Sequence, residues 1–277
     1  MSIEQSRDKN EAAPLADHLG VLRNVVIRSA IAILIFAIAA FFYKEFIFEN
    51  ILLSPQKHDF ITNELLCRLG TFLNTEDLCV KPNDYELINL EIAGQFRIHI
   101  MLSIMVGFVL GFPYLAWEIW RFVKPGLTQK EVSNTRGIVF YISFLFTVGL
   151  LFGYFVISPL AINFFTTYSV SDTIVNQFKI QSYISILTTT TLSTGLAFEL
   201  PVVVFFLSKM GIATPKGMKK YRKHAIVVLF IIAAIITPAD PFSMFLVAIP
   251  LLFLYEISIF ISKSVAKENK LNDYIVE

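Results

Sequence analysis

The chain has 277 residues and a net charge of +1, with 55% hydrophobic residues and only 16% charged residues. Soluble domains average about 45–50% apolar and about 25% charged residues, so this chain has too few charges to cover a soluble surface. Its 23 basic and 22 acidic residues exclude a generally basic nucleic-acid-binding protein, and two cysteines are too few for a disulfide scaffold. The composition predicts an all-α, polytopic integral membrane protein.

Six apolar stretches predict membrane spans, because about 20 helical residues are needed to cross a hydrocarbon core of about 30 Å. In chain order they are residues 25–42, 98–120, 138–159, 184–208, 225–236 and 242–261. We therefore predict a cytoplasmic segment 1–24, one six-span domain over 25–262 with a cap at 43–97, and a tail at 263–277.

Ala37-Ile38-Ala39 in the first stretch resembles a signal-peptide processing site. A cleaved signal peptide is disfavoured, because this apolar run is longer than the usual core of about 7–15 residues.

The Lys and Arg residues of the connections are distributed unequally between the two sides of the membrane. Seventeen lie in the N-terminal segment, the second-to-third and fourth-to-fifth connections and the tail, against six on the other side. The positive-inside rule then places both termini in the cytoplasm and the cap outside.

Cys67 and Cys79 both lie in this cap. They pair there if the compartment is oxidising; the alternative is two reduced or buried thiols.

The fifth stretch is unusually short, and a turn at 237–241 leads directly into the sixth. Its 12 residues, 225–236, at about 1.5 Å each cover roughly 18 Å of a core about 30 Å thick. One interpretation is local thinning of the bilayer by the short hairpin. The other is that the helix extends through polar residues such as Lys223 and His224.

Glu199 is the most unusual polar residue of the predicted spans. It lies ten residues from Lys209 at the cytoplasmic boundary, a distance of about 15 Å that corresponds to the midplane. A carboxylate at this depth is costly unless it is neutral, paired or in a cavity. Pro201 follows it, and hydroxyl residues over 188–194 precede it. These features predict a polar groove; the alternative is a neutral Glu199 bonded to a hydroxyl of another helix.

Two other acids lie near the cytoplasmic ends of spans. Glu118, between Trp117 and Trp120, is predicted to be a solvated interface residue, and Glu256 is predicted to pair with a basic residue at the inner end of the fifth span. No zinc-binding, nucleophile-elbow or P-loop motif is present in the sequence. We therefore predict no enzymatic activity, no cofactor and no metal, and uphill transport would depend on the proton-motive force.

Five segments, in order over Leu15 to about Ile261, resemble the TatC family, the signal-peptide-receiving core of the twin-arginine translocase. They are His18-Leu19-x-x-Leu22-Arg23, Phe122-x-x-Pro125-x-Leu127-x-x-x-Glu131, Gly149-x-x-Phe152-x-Tyr154-Phe155-x-x-x-Pro159, Ala197-Phe198-Glu199-x-Pro201 and Thr237-Pro238-x-Asp240-x-Phe242-Ser243. The resemblance implies a cup-shaped six-helix receptor in the bacterial inner membrane. Its expected partners are twin-arginine signal peptides of folded cargo, small single-span subunits of the TatA and TatB type, and other copies of the chain.

The resemblance also implies a binding site for the arginine pair. Arginine prefers a bidentate carboxylate, and Glu131 occupies the family's acidic position in the first cytoplasmic loop, with Phe122, Pro125 and Leu127 at its apolar positions. Arg23 either orients the acids or only obeys the positive-inside rule.

One acid of the family pattern is missing, because Val21 stands where the N-terminal motif has its glutamate. Asp17 is four residues earlier and therefore on the same helical face. We hypothesise that Asp17 replaces the missing acid; the alternative is that Glu131 acts alone or with Glu118.

Three further positions take their roles from the resemblance. Glu199 would contact a polar residue of the small partner's helix, Asp240 belongs to the last external turn, and Pro55 shapes the cap.

The competing functional hypothesis is a secondary transporter with Glu199 as a proton or ion relay. It predicts paired repeats, which are not visible in the sequence. An intramembrane enzyme lacks a recognisable nucleophile and base.

Overall fold

The structure, a computed structural model, describes residues 4–57, 60–73, 86–126, 137–171, 176–237 and 241–276. Its ten main helices are α1 (Glu4–Phe42), α2 (Ile61–Leu73), α3 (Gly94–Val123), α4 (Ile138–Phe152), α5 (Ser158–Thr167), α6 (Ile180–Ala197), α7 (Leu200–Lys209), α8 (Pro215–Lys220), α9 (Arg222–Ile236) and α10 (Pro241–Val276). A π-helical turn, Gly153–Ile157, joins α4 to α5. The prediction of an all-α fold is confirmed.

Five helical segments of the described chain are long and apolar enough to cross a membrane. They are Gly20–Phe42, Gly94–Val123, Ile138–Thr167, Ile180–Lys209 and Ser243–Lys267. The chain is thus a multi-pass membrane protein. The fifth predicted span, 225–236, corresponds to a shorter helix, α9, and α10 continues past the predicted end of the sixth span as far as Val276.

The short span is longer than its apolar run. Helix α9 begins at Arg222 and therefore includes Lys223 and His224, as the second interpretation of this segment required. Its 15 residues give a length of about 22 Å at about 1.5 Å per residue. It still falls short of a bilayer core of about 30 Å.

The chain divides into two compact units, residues 1–44 with 99–143 and residues 45–98 with 144–277. In the first unit, α1 and α3 cross at Gly107 and Gly111. A Cβ added at Gly107 would lie 2.6 Å from the backbone nitrogen of Ala37 and 2.7 Å from the carbonyl oxygen of Ile33. Small residues spaced by four are the common means by which membrane helices bring their backbones together. This crossing holds the first unit together.

The second unit has its core where the π turn, α9 and α10 meet. The buried residues of this core are Ile157, Leu229, Ala233, Ile236, Val247, Ala248, Leu251, Tyr255 and Ile259. The Tyr255 hydroxyl donates to the Met218 carbonyl at 2.9 Å, and the Ser262 hydroxyl donates to the Ala213 carbonyl at 3.1 Å. These two bonds attach the connection before α9 to α10.

The cap belongs to the second unit and is attached to it by hydrogen bonds. The Tyr183 hydroxyl donates to the Leu52 carbonyl at 2.8 Å, and the Thr62 hydroxyl donates to the Phe155 carbonyl. Two short parallel strands, β1 (Leu87–Ile88) and β2 (Phe178–Lys179), connect the cap to the segment before α6. Side chains and backbone of the third and fourth spans thereby position the cap.

The α1–α3 crossing predicts a large effect of a single methyl group. We expect Gly107→Ala to lower the unfolding temperature in detergent, because overpacking of this kind costs about 1–3 kcal/mol. Gly20→Ala is the matched control, since a Cβ at Gly20 meets no atom within 4 Å. Equal unfolding temperatures for the two variants would contradict the close crossing.

Candidate functional site

Both segments that the sequence analysis connects with signal binding belong to the first unit. Asp17 and Arg23 lie on α1, and Arg23 is exposed. Phe122 lies in the last turn of α3 and is half-buried, while Pro125 is exposed in the 3-10 turn Lys124–Gly126. The predicted residues that the structure describes thus lie within α1 and at the C-terminal end of α3.

Four of the predicted residues lie outside the described part of the chain. They are Leu127, Glu131, Asp240 and Cys79. Their roles stay predictions, as does that of Asp17, whose backbone is helical but whose side chain is also outside the description.

Glu118 corrects one expectation. It was predicted to be solvated, but its side chain is only 1% exposed. The Tyr114 hydroxyl donates to Glu118 Oε1 at 3.0 Å, and Arg28 Nη1 of α1 lies 3.9 Å from the same oxygen. The prediction failed because the face of α3 that carries Glu118 packs against protein instead of facing the interface.

Other side chains of α3 near Glu118 also contact one another. The Tyr114 and Trp117 rings are 5.6 Å apart, and the Arg121 guanidinium lies 5.7 Å from the centre of the Trp117 ring. A cation over an aromatic face is attractive. Tyr114, one helical turn before Glu118, was the sequence signal for this contact that our reading missed.

In the second unit, Glu199 lies at a break in the fourth span. Helix α6 ends at Ala197, and α7 begins at Leu200 with Pro201 in its first turn. Proline is well suited to this position, because the first helical N–H groups have no intrahelical partner. The break therefore places Glu199 between two helices of one span.

The Glu199 carboxylate is shielded from solvent. Neither of its oxygens makes a normal hydrogen bond to a described residue. The backbone of Phe146 on α4 lies near the carboxylate. Helix α4 also approaches at Gly149, where an added Cβ would lie 2.6 Å from the Cβ of Phe198. The alternative in which a hydroxyl of another helix binds Glu199 is wrong within the described residues.

Most of the hydroxyl run before Glu199 lies inside the helix packing, although Thr189 is exposed and Ser193 is half-buried. Thr190 and Thr194 are fully buried, and their hydroxyls have no partner among the described residues. The Thr188 hydroxyl donates to the Ile184 carbonyl at 2.7 Å, and the Thr191 and Ser158 hydroxyls are 3.3 Å apart. These four threonine hydroxyls are therefore enclosed by protein, and the polar groove that the sequence predicts here stays a prediction.

The predicted partner of Glu256 is present. Arg222, the first residue of α9, donates from its guanidinium to the Glu256 carboxylate on α10. This confirms a pair at the inner end of the fifth span. An ion pair thus joins the start of α9 to α10.

The cap contains the remaining candidates. Pro55 is buried in the 3-10 turn Ser54–Gln56. Cys67 lies on α2 and is disulfide-bonded; Cys79 is the only other cysteine in the sequence. Within the described residues no three His, Cys, Asp or Glu side chains are grouped to hold a metal ion.

Comparison with known proteins identifies the family. The model of the family described as Sec-independent protein translocase protein (TatC) matches residues 17–250. A Sec-independent protein translocase protein TatC from Blattabacterium sp. subsp. Periplaneta americana is 40% identical over 263 residues, which cover 94% of this chain and 98% of that relative. The TatC of Aquifex aeolicus is 34% identical over 258 residues, covering 93% of this chain and 98% of the relative.

Solved structures agree with the sequence matches. A crystal structure of the twin arginine translocase receptor TatC has a TM-score of 0.67 and 33% identity, covering 90% of this chain and 99% of that one. A crystal structure of a twin arginine translocase receptor TatC in DDM has a TM-score of 0.70 and 34% identity, covering 88% of this chain and 99% of that one. These similarities extend over nearly all of the spans described above, and the chain belongs to the TatC family.

Proposed function

We propose that this chain is the signal-peptide receptor and scaffold of a twin-arginine translocase, which exports folded proteins with the energy of the proton-motive force. The observation that carries the proposal is the match over nearly the whole chain to solved twin arginine translocase receptors. Its work is binding and positioning, and it requires no enzymatic chemistry, cofactor or metal.

Recognition of the arginine pair is assigned to the first unit. Glu131 provides the carboxylate of the loop after α3, and Asp17 replaces the acid that is absent at Val21. A guanidinium binds a carboxylate through two parallel hydrogen bonds, whereas an ammonium group does not match this geometry. Phe122, Pro125 and Leu127 form the apolar part of the site, and Arg23 orients the acids.

The chain lies in a bacterial inner membrane, and both of its termini are on the cytoplasmic side. The excess of Lys and Arg in the segments on that side supports this orientation. The cap is then external, where an oxidising compartment favours pairing of Cys67 with Cys79.

The partners are small single-span subunits of the TatA and TatB type, together with further copies of this chain. Their contact is assigned to Glu199, because neither of its oxygens has a normal hydrogen bond to a described residue. A polar side chain on a partner helix would provide that bond within the membrane. The short α9 would thin the bilayer where the partners gather.

The first test concerns the two recognition acids. We expect Glu131→Ala and Asp17→Ala each to weaken crosslinking of an Arg-Arg signal peptide by about tenfold, because hydrogen bonds to charged groups contribute about 1.5–3 kcal/mol. A Lys-Lys peptide gives the background level, and Glu11→Ala is the matched acidic control on α1. Unchanged binding by Asp17→Ala removes Asp17 from the site, and unchanged binding by Glu131→Ala removes Glu131.

The second test concerns Glu199. We expect Glu199→Ala to reduce co-purification of the small subunits severalfold, since an intramembrane hydrogen bond contributes about 0.6–2 kcal/mol, and Glu199→Gln to retain most of it. Ser193→Ala, on the same span, is the control. Wild-type assembly by Glu199→Ala would contradict the assigned contact.

The third test concerns the cap. In intact cells, a membrane-impermeant maleimide should label the chain only after reduction, whereas Cys67→Ser should be labelled at Cys79 without reductant. Labelling of the wild type before reduction would exclude the disulfide. Labelling that requires lysed cells would place the cap on the cytoplasmic side.

A further inference from the structure

Arg28 and Glu118 form an ion pair whose role the proposed function does not yet include. Glu118 is 1% exposed and Arg28 is 51% exposed, so the pair joins a buried carboxylate to a half-exposed cation. Glu118 Oε1 accepts a hydrogen bond from Tyr114, while Oε2 is buried without a partner among the described residues. The carboxylate therefore depends on Arg28 for its countercharge.

This dependence is asymmetric. If Arg28 is neutralised, a charge stays buried without compensation, which is strongly destabilising. If Glu118 is neutralised, Arg28 loses its partner, but its side chain is half-exposed and long enough to extend towards the membrane interface. Arg121 on the same helix does not replace Arg28 in the ion pair, because its guanidinium lies over Trp117.

The pair is a second point of attachment between α1 and α3. The first is the close crossing at Gly107, eleven residues before Glu118 on α3, which is about 16 Å away at about 1.5 Å per residue. Two rods that touch at one point pivot about it. A contact about 16 Å along the helix fixes the angle between them.

The recognition segments lie close to this pair along the chain. Arg28 is five residues after Arg23, and Glu118 is four residues before Phe122; all four belong to the first unit. A small change in the α1–α3 angle would therefore alter the separation of the N-terminal segment from the loop after α3.

We propose that Arg28 and Glu118 are positioning residues that set the separation of the two arginine-binding segments without contacting the signal peptide. This inference rests on the proposed function, because it assigns the pair a role in signal recognition. Because the Glu118 carboxylate is buried, this inference predicts that leaving this charge unpaired displaces the segments more than removing both charges together does.

A double-mutant cycle tests this inference. We expect Arg28→Gln to weaken binding of an Arg-Arg signal peptide by about tenfold or more, Glu118→Gln to change it by less than about threefold, and the double variant to recover to within about threefold of the wild type. Arg28→Lys, which keeps the charge, should stay near the wild type.

Two results overturn the proposal. If Glu118→Gln loses binding and adding Arg28→Gln does not restore it, Glu118 contacts the signal directly. If Arg28→Gln binds like the wild type, the pair does not position the segments.

A distance measurement between α1 and the end of α3 tests the role of the ion pair without a signal peptide. Spin labels at the exposed Asn24 and Lys124, in a variant without cysteines, should give a narrow distance distribution. Arg28→Gln should broaden it and the double variant should narrow it again; an unchanged width in Arg28→Gln overturns the proposal. If the wild type does not distinguish Arg-Arg from Lys-Lys peptides, the proposed function fails, while the distances still report on the pair.

Discussion

The hydrocarbon core contains no water to solvate polar groups, so each buried polar group must find its partner within protein. This constraint explains why the chain crosses as helices, whose backbones satisfy themselves. It also makes the few acids within the spans informative. Glu118 has an arginine and a tyrosine as partners, whereas Glu199 has no normal hydrogen bond within the described residues.

The two acids therefore represent different solutions to the same cost. Arg28 on α1 provides the countercharge of the Glu118 carboxylate, and this contact strengthens one unit of the chain. Glu199 is held at a helix break with its oxygens shielded, an arrangement that is costly in the isolated chain. A partner that binds there repays the cost, which is a physical reason for the acid to be present in a scaffold protein.

Close helix crossing makes such contacts possible. Gly107 lets the backbones of α1 and α3 approach within a distance that a methyl group would prevent. Without a hydrophobic driving force between helices in lipid, packing of this kind and interhelical polar contacts provide much of the association. The position of the small residues thus decides which polar side chains meet.

Local properties of the sequence were sufficient for much of this description. Apolar run length predicted an all-α membrane protein, and ordered motifs indicated the family. Counting residues placed Glu199 deep in its span, and Glu256 was correctly paired with the inner end of α9, because the two helices are consecutive in the chain. Each of these inferences depends on neighbours in the chain.

Contacts between helices distant in sequence were decided only by the tertiary structure. The burial of Glu118 depends on which face of α3 meets α1, and apolar residues surround α3 too evenly for periodicity to reveal that face. The missing partner of Glu199 likewise depends on where α4 lies. A sequence determines how far into the membrane a residue is placed, because depth follows from helical rise, but the identity of its neighbour depends on the packing of whole helices.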